Sequence, residues 1–502
     1  MAINAASSLV ARLLNVTVLL WMYQYLLARI SPGEFAVYAV LMALMAFAPL
    51  FFSVFTGGVS RYIVEAYALG EPRRVAEITS SILPLLGGAA ATFMTTGLVL
   101  AAHVEDVLTI APGMEDTARI MLTLLVVNYA LQVVTLPYST GFHVRQRFVE
   151  LNALGVLRDV LKIILLVTFL VGIGPSVLWV VVANVIADQT HLVAVLYRSR
   201  QLVPEVRFKP ALFRWATGRK LVSFGLWTTM GQLANMMATS VGILILNEYG
   251  TALDVTVYHL GATAFRQIES AIGLAAFPLL PALTAMHSLA DKARLARTTL
   301  RGGRYGLWVA LFVACPAAIF SREFVHLYLG EGFADAAIVL TLFMGVFLFV
   351  GPTSLLPMLA MAMARVRDYH LAFFTASALG LLLTVYLVAV QGLGAIGVAL
   401  SLLITMGVAE LFYFWPLQIR LTGVRWRDFG TAVLTRGLLP AVVGSLVWVA
   451  VERVIPPDSW FSLVVVIAIG AIAYVSTLIT FCFDENDRNI AKRLVRKLLP
   501  VS

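Results

Sequence analysis

Apolar residues run in stretches of eighteen or more from one end of the 502-residue chain to the other. Each stretch is long enough to cross the hydrocarbon core of a bilayer as a helix. Polar interruptions divide them into fourteen predicted spans, at 8–29, 35–58, 78–102, 117–140, 151–172, 175–197, 220–247, 252–283, 304–321, 334–364, 369–390, 394–418, 432–451 and 459–482. Several contain proline, including Pro84, Pro137, Pro278, Pro281, Pro352 and Pro357. Membrane helices tolerate this because neighbouring groups satisfy the carbonyls that proline frees. The pattern predicts an all-α polytopic membrane protein.

Composition agrees: 60% of residues are hydrophobic and 13% charged, with a mean hydropathy of +0.91, too few polar residues to clothe a soluble protein of this size. The net charge of +9 is not concentrated as a nucleic-acid patch. Instead it falls on alternate connections: Arg61, Arg73 and Arg74; Arg145 and Arg147; seven basic residues from Arg198 to Lys220; Lys292, Arg294, Arg297, Arg301 and Arg304; Arg365 and Arg367; Arg420, Arg425, Arg427 and Arg436; and Arg488, Lys492, Arg493, Arg496 and Lys497. The intervening connections are mostly acidic (Glu105, Asp106, Glu115, Asp116, Glu248, Asp254, Glu331, Asp335). The positive-inside rule then places both termini in the cytoplasm, as expected of a multi-pass protein of the cytoplasmic membrane. The opening MAINAASSLVARLLN has neither a basic region before its apolar run nor a clear cleavage site, and reads as a retained first span.

Several chemistries are missing. No connection is long enough for a soluble domain. No Gly-Lys dipeptide occurs, so a phosphate-cradling P-loop is absent. Gly392-Leu-Gly-Ala-Ile-Gly397 fits GxGxxG but follows no strand, and reads as a tight turn between spans. The two cysteines, Cys315 and Cys482, lie in apolar segments and form no disulfide framework. No metal-ligand spacing appears, and His191 and His370 read as satisfied packing residues. With no catalytic constellation, the chain is not expected to be an enzyme, and no cofactor is expected.

The chain repeats itself weakly when residue n is set against residue n + 220. Glu34, Val37 and Tyr38 then meet Asp254, Val257 and Tyr258, while Leu69, Glu71, Arg74, Ala76 and Thr79 meet Leu289, Asp291, Arg294, Ala296 and Thr299. Two parallel six-span halves follow, an arrangement typical of transporters with a substrate site between the halves. The organisation expected is an N-terminal lobe at 1–200, a cytoplasmic linker with an interfacial segment at 201–219 and a C-terminal lobe at 220–420. Helices 13 and 14 at 421–483 then form an appendix, followed by a basic tail helix at 484–502. In the linker Phe208, Leu212, Phe213 and Trp215 accompany the basic residues. In the tail Ile490, Leu494 and Leu498 form one stripe, with Asp484, Glu485 and Asp487 at the start, where a helix dipole favours acids.

The run LLARISPGEFAVYAVLMAL, the following GGVSRYIVEA, the second-half pattern from Tyr258 through Phe277-Pro278-Leu-Leu-Pro281 to Asp291, and the tail CFDENDRNIAKRLVRKLL resemble one known family. This is the Wzx-type polysaccharide flippases of the multidrug/oligosaccharidyl-lipid/polysaccharide exporter superfamily. The resemblance covers the whole chain. It implies a V-shaped, two-lobed fold like that of the multidrug exporters. It also implies movement of undecaprenyl-diphosphate-linked sugars from the inner to the outer leaflet.

Ionisable residues deep in a span cost about 2.5 kcal/mol or more and are functional candidates by default. Arg266, midway along the eighth span, has Glu269 on the same face; it either binds a diphosphate or sugar in a water-filled lumen or forms a neutral pair with Glu269. Arg158 and Lys162 share a face of the fifth span, with Asp159 beside them; they line the lumen or snorkel to the surface. Asp188 and Glu410 are deep lone carboxylates, each an ion-coupling candidate alongside Asp159 or a partner for Arg158, Lys162 or Arg266. Arg12, Asn15 and Gln24 in the first span, and Gln232 and Asn235 in the seventh, offer sugar contacts or interhelical hydrogen bonds. Arg61 and Arg145 stand where a phosphate headgroup would enter, or serve topology alone.

The function expected is a lipid-linked oligosaccharide flippase with a cationic lumen, working by alternating access, with a proton or sodium gradient as the candidate drive. Its expected partners are membrane lipid, the lipid-linked substrate, and polysaccharide polymerase and chain-length proteins; nucleic acid is excluded. The rivals are a cation-coupled multidrug exporter of the same superfamily, a lipid II flippase and a non-transporting assembly scaffold.

Overall fold

A computed structural model describes residues 17–56, 62–63, 66–67, 69–145, 147–219, 229, 233–234, 236–237, 240–276, 279–363, 365–485 and 487–488. All regular structure among them is helical. The main helices are α1 (Pro32–Met45), α2 (Pro72–Ala102), α3 (Glu115–Val144), α4 (Phe148–Gly172), α5 (Val177–Leu202), α6 (Val241–Tyr249) and α7 (Ala252–Ala276), then α8 (Lys292–Ile319), α9 (Ala334–Val350), α10 (Val366–Val385), α11 (Gly394–Ala409), α12 (Arg436–Val454) and α13 (Trp460–Thr477). Among the described residues ten helices are long and apolar enough to cross a membrane. Two more of the expected spans, α4 and α7, are helical over 25 residues each but carry charges in their interiors. The expected first and seventh spans lie partly outside the described residues.

Contacts divide the chain into two compact units, Met1–Thr256 and Val257–Ser502. The repeat in the sequence suggests a division at 220 instead. The two differ because the described end of the seventh span belongs physically to the first unit. There α6 packs on α1. The Asn247 amide accepts from Thr109 N–H (3.0 Å) and donates to Thr109 C=O (2.8 Å), and Thr256 Oγ1 donates to Pro32 C=O (2.9 Å).

In the first unit α3 packs against α2 and α5, and α4 against α5. Helix starts are fixed locally: Ser31 caps α1 and Ser176 caps α5, each accepting a backbone N–H. The linker after α5 is stitched to the basic end of α2. Buried Ser80 and Ser81 accept from the backbone of Lys209 (2.8 Å) and Arg214 (3.0 Å), and Thr217 donates to Glu77 (2.9 Å). Phe208, Phe213 and Trp215 are left exposed.

In the second unit α9 packs against α8 and α11, and the α12–α13 hairpin is built onto α8. The hairpin is thus packed onto the second unit. Trp308 Nε1 donates to the Arg436 carbonyl (2.9 Å), and the Tyr474 hydroxyl donates to the Trp308 carbonyl (2.9 Å). Trp448 is fully buried and donates to the Ile467 carbonyl (3.0 Å), its indole lying over Gly470 where a β-carbon would have to stand. Gly470→Leu is accordingly expected to overpack the hairpin by about 1–3 kcal/mol, read as a lower thermal midpoint in detergent. An unchanged midpoint would show that the indole can swing aside. Proline shapes the same unit: the turn Gly351–Thr353 breaks the helix after α9, and Gly303 of α8 lets the Pro352 carbonyl approach.

The tail begins differently from the expectation of acids merely favoured by a helix dipole. Asp484 accepts from Asp487 N–H (2.8 Å) and Asp487 from Asp484 N–H (3.1 Å), a reciprocal cap. Both carboxylates are also gripped by α8. Arg304 reaches Asp487 at 2.7 Å and Asp484 at 3.3 Å, Arg301 reaches Asp484 at 3.3 Å, and the Tyr305 hydroxyl donates to Asp487. Arg304 is 3% and Asp487 4% exposed. Ile490, Leu494, Leu498 and the basic residues from Lys492 onward lie outside the described residues.

Burial alone would raise the Asp484 carboxyl, but the Asp487 amide and the Arg304 and Arg301 guanidiniums together hold it below the ordinary aspartate value. A depressed folded value means that this stabilisation is complete above the unfolded aspartate pKa of about 3.9 and is lost as pH falls through the folded value. The thermal midpoint is expected to decline over that acidic window. The decline should be shallower in Asp484→Asn; an identical slope would remove Asp484 from the linkage.

Candidate functional site

Three helices of the first unit bring their polar residues to one level. Arg158 stands ten residues into α4, Asp188 eleven into α5 and Asn128 thirteen into α3. At 1.5 Å per residue each is roughly 15–20 Å from its helix start, near the middle of a bilayer core of about 30 Å. The Asp188 carboxylate accepts from Asn128 Nδ2 (3.1 Å) and Gln132 Nε2 (3.2 Å), and Gln189 Nε2 donates to Asn128 Oδ1 (2.6 Å). Arg158 donates to Asp159 through Nε (3.1 Å) and Nη2 (2.8 Å), while its Nη1 lies 3.9 Å from Asp188. Lys162, one helical turn on from Arg158, is half-buried and has no ion pair among the described residues.

The cluster is balanced. Arg158 and Lys162 are matched by Asp159 and Asp188, with an amide belt from Asn128, Gln132 and Gln189 beyond them. Pairing removes most of the cost of charges at this depth. It also leaves surface for a ligand: the side chains of Arg158 and Asp188 remain 39% and 28% exposed, while Asn128 is 3% exposed and fixes the carboxylate from behind. An anionic ligand can compete with Asp188 for the guanidinium, and hydroxyl groups can exchange with the amides. Among the sequence-derived candidates the structure thus unites Arg158, Asp159 and Asp188, with Lys162 beside them. It adds the amides, whose only sequence signal was the i, i+4 spacing of Asn128 and Gln132.

The second unit holds its own candidates separately. Arg266 on α7 donates to Thr263 Oγ1 (3.1 Å) and makes no ion pair within 4 Å among the described residues, so the neutral pair with Glu269 is not formed. Glu269 is exposed. Glu410 is 6% exposed and accepts from Thr353 Oγ1 at 2.7 Å; among the described residues it pairs with no cation. It opens a π-helical turn, Glu410–Phe414, and Gln418 farther along donates to the Pro352 carbonyl (3.1 Å). Proline, the π-turn and a deep carboxylate therefore coincide, a combination frequent at functional positions.

Other candidates stand elsewhere. Arg145 donates to the Leu202 carbonyl (3.0 Å) and lies over the Tyr67 ring (5.3 Å), closing the basic ends of α3 and α5. Gln24 is exposed. His370 is not the satisfied packing residue expected, since its buried Nδ1 finds no hydrogen-bond partner among the described residues. Arg12, Asn15, Arg61, Gln232 and Asn235 lie outside the described residues. No group of histidine, cysteine and carboxylate side chains able to hold a metal occurs among the described residues.

Among solved structures the fold is similar to a lipid II flippase MurJ in an inward closed conformation (12% identity, TM-score 0.75, covering 95% of this chain and 99% of that one). It is also similar to an inward-facing MATE family multidrug resistance transporter of the MOP superfamily (13% identity, TM-score 0.62, 82% and 98%). Among curated proteins, the uncharacterized membrane protein EpsK of Bacillus subtilis (strain 168) is 21% identical over 98% of this chain and 97% of its own length. The model of one family, described as polysaccharide biosynthesis protein, matches residues 26–338. The chain belongs to that polysaccharide biosynthesis family.

Proposed function

We propose that this protein carries an undecaprenyl-diphosphate-linked oligosaccharide from the inner to the outer leaflet of the cytoplasmic membrane, for assembly of a surface polysaccharide. The carrying observation is the mid-span cluster of Arg158, Asp159 and Asp188 with its amide belt, in a member of a polysaccharide biosynthesis family. The cargo's headgroup joins a diphosphate to sugar hydroxyls, and the cluster offers one kind of group for each. The diphosphate displaces Asp188 from Arg158 and draws on Lys162. The sugars exchange hydrogen bonds with Asn128, Gln132 and Gln189. Arg266, which donates to Thr263 Oγ1, is an anion-binding candidate of the second unit in its own right. The lipid tail stays in the membrane while the lobes alternate in access.

In this reading no bond is made or broken, no cofactor takes part, and both termini are cytoplasmic. A proton or sodium gradient drives the cycle through Glu410 or Asp159, and polymerase and chain-length proteins receive the product. A lipid II flippase is the second reading, supported by the likeness to MurJ over nearly the whole chain; the MATE likeness supports a drug exporter in the same way.

Deleting the gene in its host and profiling membrane lipids by mass spectrometry tests all three. Accumulation of one polyprenyl-diphosphate oligosaccharide, with loss of a surface polymer, is the expected result. Accumulated lipid II would replace the oligosaccharide by that cargo. Unchanged glycolipids with new sensitivity to cationic drugs would sink both flippase readings.

A further inference from the structure

A cavity of about 610 Å³ lies between α10 and the length of chain formed by α11 and its π-helical continuation. Its walls are apolar: Leu371, Leu379 and Leu383 on one side, Ile404 and Val408 on the other. Leu371, Leu379, Ile404 and Val408 are exposed. Both walls belong to helices long and apolar enough to span a membrane, so hydrocarbon fills the groove more favourably than water does.

One end differs. Asp368 and Tyr413 close it, the Tyr413 hydroxyl donating to the Asp368 carbonyl at 3.1 Å. Arg365 pairs with the Asp368 carboxylate at 3.5 Å, and exposed Arg367 has no ion pair among the described residues. The groove is therefore amphipathic along its length: its hydrocarbon trough ends at Asp368, beside the guanidinium of Arg365 that it pairs with and next in sequence to that of Arg367. Asp368 takes up part of one of them and offers an acceptor to hydroxyl groups.

From this geometry we propose that the groove is a binding site for an acidic glycerophospholipid, its acyl chain in the trough and its phosphate at Arg367 and Arg365. Length selects the occupant. From Asp368 to Leu383 the wall runs about 22 Å, at 1.5 Å per residue, close to one extended fatty-acyl chain and too short for a polyprenyl chain of many isoprene units. Charge selects the headgroup, because an arginine near the membrane surface favours anionic over zwitterionic lipid. The site does not depend on what the protein transports.

The test uses the full chain in nanodiscs of equal phosphatidylglycerol and phosphatidylcholine, released for native mass spectrometry. Wild-type protein is expected to retain one phosphatidylglycerol. The double variant Arg365→Gln/Arg367→Gln should lose about tenfold or more of that preference. Thr375→Trp, which fills the trough from an exposed position, should cut retention of both lipids. Wild type without a preference, or a double variant that retains phosphatidylglycerol undiminished, overturns the proposal, as does undecaprenyl phosphate displacing phosphatidylglycerol when added. If Thr375→Trp fails to fold, the arginine pair alone decides.

Discussion

Arg304→Ala is expected to destabilise the protein by about 3–5 kcal/mol, the usual cost of removing one partner from a buried ion pair. Arg304 is nearly inaccessible and meets two carboxylates, so its loss leaves Asp487 buried opposite Tyr305 with no other cation in contact among the described residues. The guanidinium also lies over Trp308 (5.0 Å from the ring centre), whose backbone carbonyl receives Tyr474. The damage should therefore spread to the α12–α13 hairpin. A drop of several degrees in the detergent thermal midpoint is the readout. Removing the acid as well, in Arg304→Leu/Asp487→Leu, should recover most of the drop, since apolar replacement of a whole buried pair is often neutral. Equal midpoints for Arg304→Ala and wild type would mean that Asp487 reaches water and that the contact is a surface one.

Asp188→Ala carries the second large effect. It strips Arg158 and Lys162 of one of two counter-charges and frees the amides of Asn128 and Gln132. An uncompensated cation at this depth costs about 2.5–3.5 kcal/mol. Surface polymer, assayed by complementing the deletion strain, should fall to the deletion level. The double variant Arg158→Gln/Asp188→Asn restores charge balance. It should regain the thermal midpoint but not transport, which separates a stabilising role from cargo binding. Full complementation by Asp188→Ala would take the cluster out of the transport path. A parallel Arg266→Ala variant that complements fully would favour the scaffold reading.

Helix positions were legible because apolar run length reports a membrane span directly. The candidate site was legible only in part. Arg158, Asp159 and Asp188 could be singled out because charge is costly in a bilayer wherever it occurs, and a partner for Asp188 was among the alternatives. Which partner it would be was not legible, because helices apolar on every side have no face that reveals their rotation. Asn128, Gln132 and Gln189 escaped for a related reason: a lone amide in a span is cheap enough to need no explanation. The grip of Arg304 on Asp487 joins positions more than 180 residues apart, and no local pattern encodes such a meeting. Glu410 and Thr353 are likewise brought together by the bend at Pro352 rather than by spacing.

The stitch from Asn247 to Thr109, and from Thr256 to Pro32, bears on how the chain is made. A membrane protein is inserted from its N-terminus, and the first unit needs residues up to 256 to complete its contacts. Its first six spans must therefore wait, inserted but unfinished, while the linker and the seventh span are synthesised. The serine contacts that hold the linker against α2 shorten that search by tethering the waiting segment beside its destination. A ribosome stalled just before α6 should thus yield a protease-sensitive first half, and one stalled beyond Thr256 a resistant one.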